Sequence, residues 1–296
     1  MKRVGIIGLG DMGIGLASNL LKSGFELTGF DLSKDRLGAL EKLGGKSASN
    51  ATEVAAASDS IFIMVLNGGQ AKEVIFGQDG LIHELEPGNT VIVTGTFTPA
   101  EVREMAAGLN DKGIDMIDTP VSGGKAGADG GTLTLMAAAP KEVFEDNRTV
   151  LEAVSAKLFH VGEEIGQGQT VKASLQAFIG TSFAAIFESL VLGASAGVTG
   201  TTLFEVFNSS GVRSPLFENC AKLILDRKFK GTGSHIGTMY KDLGITMQMA
   251  HETGAAMFTT AAAYELFQAG ISMFPDEDNW SIVKFLEQIA ETKVEW

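Results

Sequence analysis

The sequence predicts an α/β chain in two parts: a doubly wound, mostly parallel sheet over residues 1–164, then an all-helical segment over residues 165–296. Three observations carry this reading. Short apolar runs alternate with amphipathic stretches as far as about residue 161, the pattern of repeated strand–helix pairs. A glycine-rich turn follows the first run and opens the first helix. After Gly166 the strand signals stop, and only helical stretches separated by glycine, proline and serine remain.

At 296 residues the chain is long enough for two cores, and 45% hydrophobic with 20% charged residues describes a soluble, core-forming protein. The net charge of -13 leaves no basic patch to offset phosphate repulsion, which argues against a nucleic-acid partner. The lone Cys220 permits no internal disulfide and no cysteine metal cluster, and reads as a free core thiol. His83, His160, His235 and His251 lack metal-ligand spacing, so no metal is expected. The N-terminus from Met1 to Gly10 is basic then apolar, like a signal peptide. Its apolar run is too short, is broken by glycine and lacks a cleavage site, so it reads as a strand. Residues 178–198 come nearest to a membrane span, yet Thr181, Ser182, Glu188, Ser189 and Ser195 make them a buried helix of a soluble protein. A cytoplasmic protein with no membrane partner is expected.

Residues 3–9 read as the first strand, Gly8-Leu9-Gly10-Asp11-Met12-Gly13 as the turn, and residues 14–22 as a helix ended by Gly24. Residues 26–31 form the second strand, which finishes on Asp31. This is the dinucleotide-binding fingerprint in its required setting of strand, turn, helix, strand and acid, and it makes the first part a Rossmann-type domain. The first glycine allows the tight turn, the second lets the backbone approach a pyrophosphate, and the third seats the helix against the strand. Exposed amides and the helix dipole then hold the phosphates. Asp31 falls where a carboxylate binds the adenosine ribose hydroxyls and repels a 2′-phosphate, which favours NAD over NADP. The alternative is a solvated strand end. Asp11 carries its charge close to the phosphates and is expected to point outward or to cap the helix.

The alternation continues. Residues 34–43 and 52–57 read as helices, 61–66 as a strand, 70–76 as a helix, 90–94 as a strand and 99–109 as a helix. In a doubly wound sheet ligands lie at the carboxyl ends of the strands, so Leu66-Asn67 and Thr94-Gly-Thr96 are expected to line the cofactor crevice. Next comes Asp118-Thr-Pro-Val-Ser122-Gly123-Gly124-Lys-Ala-Gly127, continuing to Gly130 and Gly131. Its small residues expose backbone amides that suit a substrate carboxylate; the other reading is a tight, flexible turn between strands 116–119 and 132–138. Helix 142–153 and strand 157–161 complete the first part.

The second part opens on Gly166-Gln-Gly-Gln-Thr-Val-Lys172, the start of its longest apolar run; between Lys172 and Ala196 the only charged residue is Glu188. A lysine there is costly to bury unless it has a task, and burial lowers a lysine's pKa towards the range where it exchanges protons near neutral pH. The bland alternative is a lysine that snorkels to water. Further helices are expected at 201–209, 215–226, 237–253, 258–269 and 279–292. An all-helical partner on a dinucleotide domain leaves a cleft for substrate, which the loop residue Arg213 faces unless it is simply a solvated cation. Lys241 opens a helix from which it reaches cofactor or substrate, while Asp242 reads as a helix-terminus charge.

Together these motifs resemble the β-hydroxyacid dehydrogenase family of the 3-hydroxyisobutyrate dehydrogenase type, over essentially the whole chain. The resemblance rests on the Gly8–Gly13 loop with Ala17-Ser-Asn19-Leu, on Asp118-Thr-Pro-Val-Ser-Gly-Gly124, on Gly166-Gln-Gly-Gln-Thr-Val-Lys172 and on Lys241-Asp242-Leu243. It implies a nucleotide loop at the first motif, a substrate-carboxylate site at Ser122, Gly123 and Gly124, Lys172 as catalytic acid/base, and Lys241 beside the nicotinamide. By the same likeness Thr96 and Leu66-Asn67 touch the cofactor, and the chain assembles as a homodimer or homotetramer. The family usually places asparagine or another polar residue three or four positions after the lysine; here those positions hold Leu175 and Gln176. Gln176 shares a helical face with Lys172 and is the candidate to replace the lost contact. Leu175 removes a polar contact, so the substrate need not be 3-hydroxyisobutyrate: threonate, glycerate, 4-hydroxybutyrate and sulfolactaldehyde types stay open. The Leu66-Asn67-Gly-Gly-Gln70 stretch leans to the threonate type. Two rivals share the fold, a non-catalytic NAD-binding reader and an imine reductase. Both normally lack the lysine, and Asp31 disfavours the reductase's NADP.

Overall fold

The computed structural model describes residues 2–296, so of the N-terminal stretch only Met1 lies outside them. The chain divides into two compact units, Met1–Lys172 and Ala173–Trp296.

In the first unit the elements follow one another as β1 (Arg3–Ile7), α1 (Gly13–Lys22), β2 (Glu26–Phe30), α2 (Lys34–Lys42), β3 (Lys46–Ser47), α3 (Ala51–Ala56) and β4 (Ser60–Ile63). Then come α4 (Gly68–Phe76), β5 (Thr90–Val93), α5 (Pro99–Asn110), β6 (Asp115–Asp118), β7 (Val121–Ser122), α6 (Gly124–Gly130), β8 (Leu133–Ala138), α7 (Lys141–Glu152) and β9 (Ser155–Gly162). Among the described residues the strands form one sheet in the order β3-β2-β1-β4-β5-β6-β8-β7, with β9 paired to β8. The pairs from β3 to β6 are parallel, in registers such as Val4↔Leu27, Val4↔Ser60 and Ile61↔Val91. The chain order reverses between β1 and β4, the switch point at which a doubly wound sheet opens a crevice.

Alternation along the strands explains the two cores. Ile6, Phe62, Ile92 and Ile117 pack into one apolar cluster, while their neighbours Ile7, Ile61, Ile63, Val91 and Met116 pack into another. A parallel sheet covered on both faces needs such continuously apolar strands. Each fully buried side chain of this size contributes about 1.5–3 kcal/mol.

Besides the two-residue strands β3 and β7, which the sequence does not announce, three departures from the sequence reading bear on the site. Strands expected to reach Leu9, Asp31, Leu66 and Thr94 stop earlier, at Ile7, Phe30, Ile63 and Val93, which leaves those residues in the loops beyond the strand ends. Gly8 turns the chain with φ +91, where a Cβ would lie 2.1 Å from the Met64 carbonyl oxygen. The glycine-rich stretch after Ser122 is not a simple turn, because residues 124–130 form α6. Glycine's low helix propensity hid it. Finally, β8 runs antiparallel to β6 and β7, a reversal that the strand–helix alternation did not announce.

The long helix α8 (Gln167–Ser195) runs from the last residues of the first unit into the second. It is followed by α9 (Gly200–Asn208), α10 (Pro215–Leu225), α11 (Ile236–Thr253), α12 (Phe258–Met273) and α13 (Ile282–Ile289). The core of the second unit gathers Phe183, Phe187 and Leu190 of α8 with Phe217, Ile224, Leu243, Phe267, Trp280 and Val283. Cys220 is free and buried within it, and burial pushes its thiol pKa up. By length and composition alone α8 is long and apolar enough to cross a membrane, and a third of that window is buried within the protein.

Candidate active site

The three fingerprint glycines have distinct stereochemical reasons. A Cβ on Gly13 would sit 1.8 Å from the Gly8 carbonyl oxygen, and one on Gly8 would strike Met64. On Gly10 a Cβ would meet nothing closer than the Arg36 guanidinium, 3.8 Å away. The middle glycine thus leaves open space beside the loop, the approach a pyrophosphate needs. Leu9 is buried beneath the loop. Asp11 is exposed, and no side chain caps α1 at Met12, so of the two expectations for Asp11 the outward one holds. Asp31 is not a solvated strand end, being only 8% exposed. Its Oδ2 accepts from Leu9 N at 2.7 Å and its Oδ1 from Ser33 N at 2.8 Å, and Arg36 Nη1 lies 3.4 Å from Oδ2.

The other candidates of the first unit follow the carboxyl ends of neighbouring strands. After β4, Asn67 caps α4 by accepting from Gln70 N at 2.9 Å, and Leu66 is exposed. After β5 comes Thr96, half-buried, just before the capping box that Thr98 and Glu101 form at the start of α5. Ser122 ends β7, and Gly123 (φ +130) and Gly124 (φ +59) take backbone that only glycine adopts freely as the chain enters α6. Asn19 of α1 donates to the Ala128 carbonyl of α6 at 2.7 Å, which ties the fingerprint helix to the glycine-rich segment.

Lys172 lies in the first turns of α8 and is 7% exposed, so it does not snorkel. One turn earlier stands Gln169, wholly buried and bonded to Asp118 at the end of β6. Burial pushes the Asp118 carboxyl up to about 6, against the opposing hydrogen bonds from Gln169, Gly166 and Gly168.

In the second unit Gln176, one turn after Lys172 on the same helix, is buried and its Nε2 donates to Asp242 Oδ2 at 2.5 Å. Lys241 Nζ lies 2.8 Å from Asp242 Oδ1. Asp242 is therefore not a helix-terminus charge. It sits in the second turn of α11, 2% exposed, where a buried carboxylate needs such partners. Arg213 is exposed in the turn between α9 and α10 and does not join this cluster.

Comparison with known proteins identifies the family. The family described as the NAD binding domain of 6-phosphogluconate dehydrogenase matches residues 3–162. The one described as NAD-binding of NADP-dependent 3-hydroxyisobutyrate dehydrogenase matches residues 166–286. A 2-(hydroxymethyl)glutarate dehydrogenase of Eubacterium barkeri is 35% identical over 294 residues, 99% of this chain and 97% of its own. This chain belongs to the β-hydroxyacid dehydrogenase family. An L-threonate dehydrogenase of Escherichia coli K12 is 33% identical, covering 97% of this chain and 95% of its own. A solved structure of a 3-hydroxyisobutyrate dehydrogenase from Salmonella typhimurium is 31% identical with a TM-score of 0.87, over 96% of this chain and 99% of that one. As a β-hydroxyacid dehydrogenase the chain is an NAD(P)-dependent oxidoreductase of hydroxy acids, and NAD is consistent with the family.

Four residues escaped the sequence reading of this dehydrogenase or were given a lesser part: Arg36, Asp118, Gln169 and Asp242. Arg36 has no spacing signal. Asp118 and Gln169 lie within the recognised motifs, and their burial is what the sequence does not show.

Proposed function

We propose that this dehydrogenase oxidises a short hydroxy acid with NAD and that Lys172 is the general base, acting as general acid in the reverse direction. The observation that carries the proposal is the burial of Lys172, 7% exposed on a helix whose one other charged residue is Glu188. General acid–base transfer needs an amine held at the reacting hydroxyl, and a lysine shielded from bulk water near the start of the helix is placed for that role. NAD supplies the hydride acceptor when bound. Lys172 takes the hydroxyl proton; Ser122 with the amides of Gly123 and Gly124 orients the carboxylate, so that the reacting carbon is held in one pose. Gln176, held by Asp242, is the residue assigned a second polar contact to substrate in this reading. The loop from Gly8 to Gly13, with Leu9, Asp11 and Met12, together with Asp31, Leu66, Asn67, Thr96 and Lys241, contributes to the cofactor site. Arg213, exposed in its loop, is a further candidate for a substrate contact. In this reading residues 1–164 bind the dinucleotide, and residues 165–296 serve substrate and assembly.

The substrate class is a small carboxylate-bearing alcohol. Similarity to dehydrogenases of L-threonate and of 2-(hydroxymethyl)glutarate supports the more polar end of that class, as does Gln176. We also infer a cytoplasmic homodimer or homotetramer without nucleic-acid or membrane partners, supported by the charge of -13 and by the exposed Phe178 and Leu192 on α8. Molecular mass in solution tests the assembly. The test of function is NADH formation against a panel of short hydroxy acids that includes L-threonate, glycerate, 4-hydroxybutyrate, 3-hydroxyisobutyrate and 2-(hydroxymethyl)glutarate, repeated with NADP. Turnover of at least one member supports the reading. NAD binding without turnover of any member favours a binding role instead.

A further inference from the structure

Asp118 closes β6 with its carboxylate fully buried, and the proposed chemistry makes no use of it. Its Oδ2 accepts from Gly166 N at 3.0 Å and from Gln169 N at 3.2 Å, while Oδ1 accepts from Gln169 Nε2 at 2.9 Å. The amide of Gly168 points to it as well. Amides at the start of a helix lack intrahelical partners, and here they converge on one carboxylate whose charge the helix dipole favours.

Gln169 completes the arrangement. Its Nε2 also donates to the Gly95 carbonyl at 3.0 Å, and its Oε1 accepts from Phe97 N at 3.0 Å. The side chain thereby spans the backbone on both sides of Thr96. Gly168 allows the approach, since a Cβ there would lie 2.6 Å from the carbonyl oxygens of Asp118 and Met136. Gly166, with φ +101, makes the turn into the helix. The Gly-Gln-Gly-Gln stretch is therefore a fitted joint: two glycines for close approach, one glutamine as a strap, and a buried anion as the anchor. A buried carboxylate with no cation beside it among the described residues is a costly way to cap a helix that apolar packing already stabilises. Its return is placement, because the joint fixes the turn that lies three residues before Lys172.

We propose that Asp118 and Gln169 are positioning residues for the reaction, locking the first turn of α8 to the segments that carry Thr96 and Ser122 so that Lys172 is presented from a fixed turn. The proposal rests on the reading of Lys172 as the proton-transfer group. Asp118→Asn keeps the shape of the side chain but sets an NH2 against donors on one side, the Gln169 amide if its oxygen stays on the backbone N–H groups, and Gln169→Leu removes the strap. A misplacement of about 1 Å at a proton-transfer group costs on the order of 100-fold in rate.

The test measures kcat per NADH-binding site, NADH affinity and amide hydrogen exchange in wild type, Asp118→Asn and Gln169→Leu. The expected result is a roughly 100-fold fall in kcat with NADH affinity within about threefold of wild type, and exchange at residues 170–173 faster by about tenfold or more while β1 and α1 are unchanged. A folded Asp118→Asn enzyme with kcat within about threefold of wild type overturns the proposal. Should Asp118→Asn fail to fold, Gln169→Asn, which keeps the amide but draws it back by one methylene, decides in its place. It is expected to lose about tenfold in kcat, and wild-type kcat overturns the proposal. If wild type turns over no hydroxy acid, the reading of Lys172 fails by itself. Exchange still judges the joint, and unchanged protection at residues 170–173 overturns it.

Discussion

Asp31→Asn removes one charge and half of a carboxylate's accepting capacity at a position where both are in use. In the wild-type structure both oxygens already accept backbone amides, from Leu9 at 2.7 Å and Ser33 at 2.8 Å, and Arg36 approaches at 3.4 Å. An asparagine can serve only one of the two amides with its oxygen; the other loses its acceptor, at a cost of about 1–3 kcal/mol. The ribose hydroxyls of NAD lose a charged acceptor worth roughly 1.5–3 kcal/mol. For NADP the sign reverses. A carboxylate about 5 Å from a phosphate charge repels it by roughly 3 kcal/mol at an effective dielectric near 20, and that repulsion disappears. Arg36, 54% exposed at its side chain and released from Asp31, then adds an attractive charge. Screening trims both effects. The net expectation is a fall in kcat/KM for NAD of about 10–100-fold and a rise for NADP of similar size, so that the ratio moves by roughly 1,000-fold. Initial rates with both cofactors on one substrate measure it directly. A ratio that moves by less than about threefold in a folded variant would refute the placement of the adenosine ribose at Asp31.

Three further outcomes follow from the same geometry. Gly10→Ala, whose Cβ enters open space, is expected to fold with stability within about 0.5 kcal/mol of wild type yet lose tenfold or more in NAD affinity, whereas Gly13→Ala, 1.8 Å from the Gly8 carbonyl, unfolds well below the wild-type Tm; calorimetry with NADH titration separates them. Gln176→Leu leaves buried Asp242 without its amide donor and is expected to destabilise the second unit by about 1–3 kcal/mol in chemical denaturation; no change would mean that the side chain of Asp242 relaxes to water. Asp118 sets a pH dependence. Its native carboxyl titrates at about 6, above the roughly 3.9 of an unfolded aspartate, so the native state holds the extra proton between those values. Its contribution to stability therefore falls as pH rises from about 4 to about 6 and is level above, by up to roughly 3 kcal/mol. The unfolding free energy of wild type minus that of Asp118→Asn should trace this decline, and a rise over the same window contradicts it.

Much of the first unit was legible because short continuous apolar runs and glycine punctuation are local signals. The runs that became β1, β4 and β5 could only be buried strands, and Asp31 at the end of the second run could be placed from the fingerprint's spacing. Helix α6 was hidden because glycine at residues 124, 127 and 130 speaks against a helix, and tertiary contacts with α1 through Asn19 supply what propensity does not. The antiparallel β8 was hidden for a related reason: strand direction depends on the connection, not on composition. Lys172 stood out because charge is conspicuous on an apolar helix. Asp118, Gln169 and Asp242 did not, since their burial depends on residues 51, 74 and 66 positions away that no sequence window brings together. A carboxylate inside a motif reads as solvated until its partners are seen.

The central claim is that Lys172 moves the proton, and amine rescue of Lys172→Ala tests it most directly. Single-turnover NADH formation is measured with the best substrate of the panel, with and without added ethylamine, alongside NADH affinity. The account predicts a fall of about 100- to 10,000-fold in the variant, unchanged NADH affinity, and a rate that climbs in proportion to the free amine. A Lys172→Ala enzyme that turns over within about tenfold of wild type in the absence of amine would contradict it.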